Sequence, residues 1–176
     1  DVMHLAGAEQ RAFMIMAAIL VTFGVAVTMV SVHLLTLLQA QGLSLSDAVA
    51  IGLLFGPAQV VARIVEMAGR GRHHPIWSLL FACSSVAAGL ILLALDLQLP
   101  ALAMILYGAG NGVFSIARGA LPLALFGPDR YPTLMGRLAR PALLAQAGAP
   151  VLGGALLSVL GPSETLAVIA ALGLIN

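Results

Sequence analysis

The chain has 176 residues, of which 61% are hydrophobic and 9% are charged, and its formal net charge is +1. A soluble domain carries about 25% charged residues, so this composition, with a mean hydropathy of +1.07, indicates a membrane protein. It excludes soluble enzymes and nucleic-acid binders. The one cysteine, Cys83, excludes an internal disulfide framework and argues against a cysteine-based metal site.

Long apolar segments separated by short connections predict six membrane-spanning helices. About 20 apolar residues, at about 1.5 Å per residue, cross the hydrocarbon core of a bilayer, which is about 30 Å thick. The predicted spans are approximately 12–38, 46–67, 76–95, 100–126, 134–160 and a truncated 163–176. The fold class is therefore all-α, a polytopic membrane protein with six transmembrane helices. Because the chain does not begin with Met and its last apolar run is short, we expect an interior piece of a longer polypeptide.

Local signals predict how the second span begins and bends. Ser44, with Asp47 three residues later, resembles a capping box and predicts a helix start. Gly56 and Pro57 lie near the middle of this span and predict a kink, because proline removes a backbone hydrogen bond. Glycine and proline are frequent in later spans too, which favours helices that rock or bend over a simple anchor.

The arginines predict the orientation of the spans. All eight basic residues are Arg, and three of the connections contain none. The Arg-bearing segments are residues 1–11, the 66–75 connection and the 127–133 connection with its flanks. By the positive-inside rule these three segments face the cytoplasm. We expect an integral protein of the bacterial inner (plasma) membrane.

Polar side chains inside the spans are candidates for solute binding. Placing a polar group in the hydrocarbon core costs free energy, so such residues usually have a function. One face of the fourth span carries Tyr107, Asn111, Ser115 and Arg118. Asn111 lies near mid-membrane, and we expect it to form a hydrogen bond with a solute. We expect Arg118 to attract an anion. The alternative for both is interhelical hydrogen bonding with a snorkelling Arg. Gln146, near the centre of the fifth span, either faces the same cavity or holds two helices together.

Four polar residues share one face of the second span, toward its cytoplasmic end: Gln59, Arg63, Glu66 and Arg70. Gln59 is a further candidate for solute binding, and the three charged residues, with Arg72, are candidates for a cytoplasmic gate. In such a gate Glu66 pairs with an Arg of the same face or with a basic group of the 127–133 connection. The alternative is a solvated ion pair at a helix end, worth only a few tenths of a kcal/mol.

His33, near the outer end of the first span, has two interpretations. Histidine titrates near neutral pH, so it is a candidate for proton coupling, and the alternative is an inert interfacial residue. The spans contain no midplane Asp or Glu. The adjacent His73 and His74 do not make a metal site, and no motif for a cofactor or a catalytic residue is present.

Four segments carry a resemblance to a known family. Residues 63–74 resemble a degenerate Gly-x-x-x-Asp-Arg-x-Gly-Arg-Arg loop, with Gly69 where the Asp is usual. The Gly-x-Gly-x-Gly at 108–112 resembles a glycine-rich tenth helix, and 125–138 its connection to the eleventh. Pro-x-x-Gly-Gly at 150–154 resembles an antiporter element. Over essentially the whole chain, the pattern resembles the C-terminal six-helix half of a major facilitator superfamily transporter.

The resemblance implies secondary active transport of a small organic solute by alternating access, with two six-helix bundles rocking around a midplane site. The implied partners are the solute, the lipid bilayer and the other six-helix half, without nucleic acid or a cofactor. The N-terminal half is an alternative assignment, since the two halves are related repeats. A non-transporting membrane scaffold and an intramembrane enzyme are the alternative functions. The enzyme would need a paired nucleophile and base, or a metal cluster, at one depth.

Overall fold

The computed structural model describes residues 7–69 and 71–175, and this part of the chain is helical, without strands. The helices are α1 (Ala8–Ala40), α2 (Leu45–Gly52), α3 (Phe55–Ala68), α4 (Pro75–Ala94), α5 (Pro100–Phe126), α6 (Tyr131–Val159) and α7 (Pro162–Leu174). Five segments, with α2 and α3 taken together, are long and apolar enough to cross a membrane, and α7 is a shorter apolar helix. The predicted all-α class is confirmed.

The second predicted span is two helices rather than one kinked helix. Helix α2 ends at Gly52 and α3 begins at Phe55, with a turn at Leu53 and Leu54 between them. Because Pro57 has no N–H group, the carbonyl of Leu53 lacks its helical partner. The prediction of a kink at the proline is therefore corrected to a break one turn before it.

Capping and proline set where several helices begin. Ser44 caps α2 as predicted, since its Oγ accepts a hydrogen bond from the backbone N–H of Asp47 at 3.2 Å. Helices α4, α5 and α7 each begin with a proline. At that position the fixed φ suits a helix and the missing N–H group costs nothing.

Contacts at the two ends of the bundle show that successive spans run in alternating directions. Arg130, which caps α6, donates hydrogen bonds to both carboxylate oxygens of Glu9 at the start of α1, at 2.9 and 3.0 Å. These bonds raise the pKa of Arg130 above its ordinary value. At the opposite end the Gln41 amide, just after α1, donates to the carbonyl of Leu93 in the last turn of α4. The starts of α1, α4 and α6 therefore lie at one end of the bundle, together with the Arg-bearing connections.

Helix α5 packs between α3 on one side and α4 on the other. Helix α6 lies along α1, and α7 packs against both α4 and α1. These contacts follow a pairwise correspondence, in which α1 matches α5, α2–α3 match α6, and α4 matches α7. Exchanging the two members of every pair gives the same set of contacts. In contrast, α5 touches α1 and α6 only sparsely, which leaves space between α5 and the α1–α6 pair.

Three glycines let α5 approach its two neighbours closely. A Cβ atom at Gly108 would lie 2.7 Å from the carbonyl oxygen of Phe55 on α3, and one at Gly112 would overlap the α3 backbone. On the opposite face, a Cβ atom at Gly110 would lie 2.6 Å from the carbonyl oxygen of Ala82 on α4. The alternating glycines thus bring two helix backbones against opposite faces of α5.

We expect Gly112→Ala to destabilise the bundle by about 1–3 kcal/mol, the usual cost of overpacking, because the added methyl group meets backbone that cannot move aside. The matched control is Gly136→Ala on α6, where a Cβ atom has nothing within 4 Å. The control should leave stability unchanged or raise it by about 0.5–1 kcal/mol. Circular-dichroism melting of both variants in detergent measures the difference, and equal melting temperatures would contradict the prediction.

Candidate functional site

A cavity of about 520 Å³ lies between α1, α5 and α6. Its lining brings together three residues predicted to bind solute, Asn111 and Arg118 of α5 and Gln146 of α6. Small-molecule sites are typically clefts of about 300–1,000 Å³, lined mainly by apolar groups with a few polar ones. The volume and the lining of this cavity fit that description.

The cavity wall is mostly apolar and, within residues 7–69 and 71–175, contains one charged side chain, that of Arg118. The other polar lining residues are neutral: Asn111, Ser115, Tyr131 and Gln146. The apolar lining includes Phe23 of α1 and Phe114 of α5, whose rings stack with centroids 3.5 Å apart. Within the described part of the chain, the Arg118 side chain has no ion pair or hydrogen bond.

The predicted polar face of α5 divides between the cavity and the helix packing. Asn111, Ser115 and Arg118 line the cavity, because helical spacing places them on the side of α5 that faces the space next to α1 and α6. Tyr107 is fully buried instead, and its hydroxyl donates a hydrogen bond to the carbonyl of Val27 on α1 at 3.1 Å. Tyr107 therefore ties α5 to α1, one turn away from the cavity residues.

Gly24 of α1 makes room for the Gln146 side chain. A Cβ atom at Gly24 would lie 2.5 Å from Nε2 and 2.8 Å from Cδ of Gln146. Gln146 therefore both lines the cavity and contacts the neighbouring helix, which combines the two interpretations of this residue. The sequence analysis missed Gly24, because a lone glycine in a long apolar helix does not reveal which side chain will lie against it.

Three prolines lie inside α5 and α6, namely Pro122, Pro141 and Pro150, and two of them remove a helical hydrogen bond from a residue that lines the cavity. Pro122 lies inside α5 and Pro150 inside α6. Neither has an N–H group, so the carbonyls four residues earlier lack their helical donors. Those carbonyls belong to Arg118 and Gln146, both of which line the cavity. The missing bonds favour local bending of α5 and α6 beside the cavity.

The structure does not bring Gln59 to this cavity. Gln59 is half-buried on α3, where its backbone meets Gly112 of α5 at close range. Helix α3 and the cavity lie on different sides of α5. A role of Gln59 in binding solute at this cavity therefore has no geometric support.

Glu66 has partners other than the arginines predicted for it. Its Oε1 accepts a hydrogen bond from Oγ of Ser78 on α4 and lies 3.3 Å from Nε2 of His73. The short connection between α3 and α4 brings these groups to the carboxylate. The basic group of the 127–133 connection, Arg130, pairs with Glu9 instead. Among the described residues, Glu66 therefore forms a cluster with His73 and Ser78 and does not pair with Arg63 or Arg130, whereas its predicted pairing with Arg70 stays a prediction.

The two predicted gating arginines that the structure describes, Arg63 and Arg72, have different environments. Arg63 turns toward α5, where its Nε donates to the carbonyl of Gly112 at 3.4 Å, because α3 packs directly on that helix. Arg72 is exposed in the α3–α4 connection. Arg70 lies outside the described residues.

His33 holds α1 against α6 and does not line the cavity. Its Nε2 lies 3.1 Å from the carbonyl oxygen of Pro150, within hydrogen-bonding distance. Gly153 provides the space, since a Cβ atom there would lie 2.7 Å from Cδ2 of His33. The imidazole thus contacts α6 beside its proline, and proton coupling stays a prediction.

The fold and the cavity define a bundle of long apolar helices that is compatible with an integral membrane protein and contains a partly open cavity with a few polar groups in a mainly apolar wall. Within residues 7–69 and 71–175, no group of three or more His, Cys, Asp or Glu residues is arranged to hold a metal ion. Comparison with protein-family models, curated proteins and solved structures found no match for this chain. The family resemblance rests on the sequence motifs alone.

We expect a cysteine at position 115 to react with a water-soluble maleimide, because Ser115 lines the cavity. The matched control is Ser85→Cys, at a buried serine on α4. Both variants are made in a Cys83→Ala background. The protein in detergent should label at position 115 and stay protected at position 85, and both should label after unfolding in SDS. Equal labelling of the folded variants would contradict the presence of the cavity.

Proposed function

We propose that this chain is one six-helix half of a secondary active transporter, which moves a small organic solute across a membrane by alternating access. The observation that carries this proposal is the cavity that brings Asn111, Arg118 and Gln146 together between apolar helices. Asn111 and Gln146 lie near the middle of α5 and α6, so in a bilayer both would lie near the midplane. Transporter sites are typically found at that depth.

The helix lengths support five membrane crossings, and the shorter apolar helix α7 is the proposed sixth. Five segments are long enough to cross, and the alternating direction of successive spans leaves α7 as the sixth. The described parts of the Arg-bearing segments, residues 7–11, 66–69, 71–75 and 127–133, lie toward one end, which the positive-inside rule assigns to the cytoplasm. Apolar side chains on α3 and α6 remain exposed, as expected of helices that face lipid or a second bundle.

The exchange symmetry of the helix contacts supports an internal repeat of three spans. Each repeat contains an odd number of spans, so the second would enter the membrane from the opposite side to the first. Inverted repeats of this kind are common in secondary transporters, where substrate sites lie at the repeat interface. The cavity lies in that position, since it is bounded by α1 and by its counterpart α5.

Alternating access requires helices that can bend. It also requires contacts at the ends of the bundle that can break and form again with other partners. Pro122 and Pro150 weaken α5 and α6 where they line the cavity. At the proposed cytoplasmic end, the Glu9–Arg130 ion pair joins α1 to α6, and the Glu66 cluster joins α3 to α4. The Glu9–Arg130 ion pair is partly exposed and therefore weak, so it can open at low cost, whereas the Glu66–Ser78 hydrogen bond is largely buried. Together these contacts are the proposed cytoplasmic gate.

Flux measurements in proteoliposomes test the proposal. The whole polypeptide, including any further segment that precedes or follows this chain, is assayed with small organic acids, sugars and drugs, with and without a proton gradient. We expect gradient-dependent flux in the wild type. Asn111→Ala should raise the half-saturation concentration about 2–10-fold, the value of one neutral hydrogen bond. Absence of flux for every solute from the folded wild-type protein would refute the proposal.

Gly24→Ala provides a second test, because the added methyl group displaces the Gln146 amide without meeting backbone. We expect it to raise the half-saturation concentration with little loss of stability. The matched control is Gly148→Ala, where a Cβ atom has nothing within 4 Å. In a Gln146→Ala background the Gly24→Ala effect should vanish, because the displaced group is gone. Additive effects of the two substitutions would show that Gly24 acts in another way.

A further inference from the structure

We infer that the solute is a small organic anion with an apolar body, whose negative group lies beside Arg118 in the cavity between α1, α5 and α6. This inference rests on the proposed transport function and deepens it. It combines the charge of the lining, the arrangement of its neutral polar groups and the character of its remaining walls. The charge and the apolar walls each disfavour some classes of solute, and the neutral polar groups complement an anion.

The charge balance of the cavity favours an anion. Among the described residues, Arg118 is the one charged residue that lines the cavity, and no acidic residue lines it. Arg118 lies about two turns before the end of α5, inside the apolar part of the helix, without an ion-pair partner among the described residues. The Arg118 side chain is exposed at the open cavity, so its unpaired positive charge is available to attract and bind an anion. A cation would meet repulsion without a carboxylate to hold it.

The neutral polar groups complement an anion held by Arg118. A guanidinium binds a carboxylate or a sulfonate through two parallel hydrogen bonds. Asn111 and Gln146 add amide N–H donors deeper in the cavity, and the hydroxyl of Tyr131 adds one at the shallow end. Gln146 is confined against Gly24, so its amide is held at the wall of the cavity. Fixed donors of this kind recognise an acceptor-rich group at little cost in side-chain entropy.

The remaining walls fit an apolar body and disfavour a sugar. Phe23 and Phe114 stack on one another, and Leu20, Val27 and Met135 extend the apolar surface. A sugar would leave most of its hydroxyl groups without partners against these walls, which costs free energy for each group. Burying hydrocarbon against them is favourable, at about 25 cal/mol per Å². The lining therefore favours aromatic or branched aliphatic monoanions.

The test compares solutes of one shape that differ in charge. Benzenesulfonate carries a permanent negative charge, benzenesulfonamide is neutral and phenyltrimethylammonium is cationic. A set of aromatic and branched aliphatic carboxylates with their amides extends the series. Uptake of each is measured in proteoliposomes of the whole polypeptide, alongside the wider panel of sugars and drugs.

Four proteins are compared: wild type, Arg118→Gln, Arg118→Lys and the control Arg140→Gln. Arg140 is exposed on α6, near the same end of the bundle, and does not line the cavity. Arg118→Gln should lower anion uptake about 10–100-fold, the value of a charged hydrogen bond. Arg118→Lys should keep part of the anion uptake, which would show that a protein substituted at this position still folds. Arg140→Gln should take up anions as the wild type does.

The outcomes separate the inference from the proposed function. Uptake of anions that depends on the charge at position 118 supports both. Uptake of neutral amides, sugars or cations in preference to anions overturns the anion inference and keeps the transporter. Anion uptake unchanged in a folded Arg118→Gln protein likewise overturns it. If the wild-type protein moves none of these solutes, the proposed function itself fails.

Discussion

The close approach of α5 to both α3 and α4 is the constraint on which the rest of the bundle depends. Three glycines, alternating along α5, remove the side chains that would keep the helix backbones apart. Dispersion contacts between closely packed, complementary surfaces can then hold the helices together, even in an apolar environment where the hydrophobic effect does not drive helix association. Because α5 is drawn toward α3 and α4, it stands away from α1 and α6, and the cavity occupies the resulting space.

The polar groups of the cavity depend on the same arrangement. Tyr107 fixes the distance between α5 and α1 through its hydrogen bond to a backbone carbonyl, one turn from Asn111. Gln146 fits because α1 has a glycine opposite it, so the α1–α6 contact stays close while an amide remains at the cavity wall. Prolines four residues beyond Arg118 and Gln146 weaken the helices there. Tight packing, exposed polar groups and weakened helices thus coincide at one place in the bundle.

Local sequence signals predicted the helices well and side-chain partners poorly. The Ser44 cap and the helix starts at prolines follow from interactions within a few residues, so they are readable from the chain. The break before Pro57 follows from the same chemistry, although its position one turn earlier was not anticipated. The partners of Glu66 were not predictable, because His73 and Ser78 meet the carboxylate only after the chain has turned from α3 into α4.

The sequence by itself determined the all-α class, the length and apolar character of the helices, and the grouping of Arg in alternate connections. These properties depend on composition and on spacing along one helix, which the chain carries directly. Only the tertiary structure decided that Asn111, Arg118 and Gln146 share a cavity while Gln59 lies on the other side of α5. Such choices depend on which helix faces pack together, and that is set by contacts between residues far apart in the chain, such as Gly24 with Gln146.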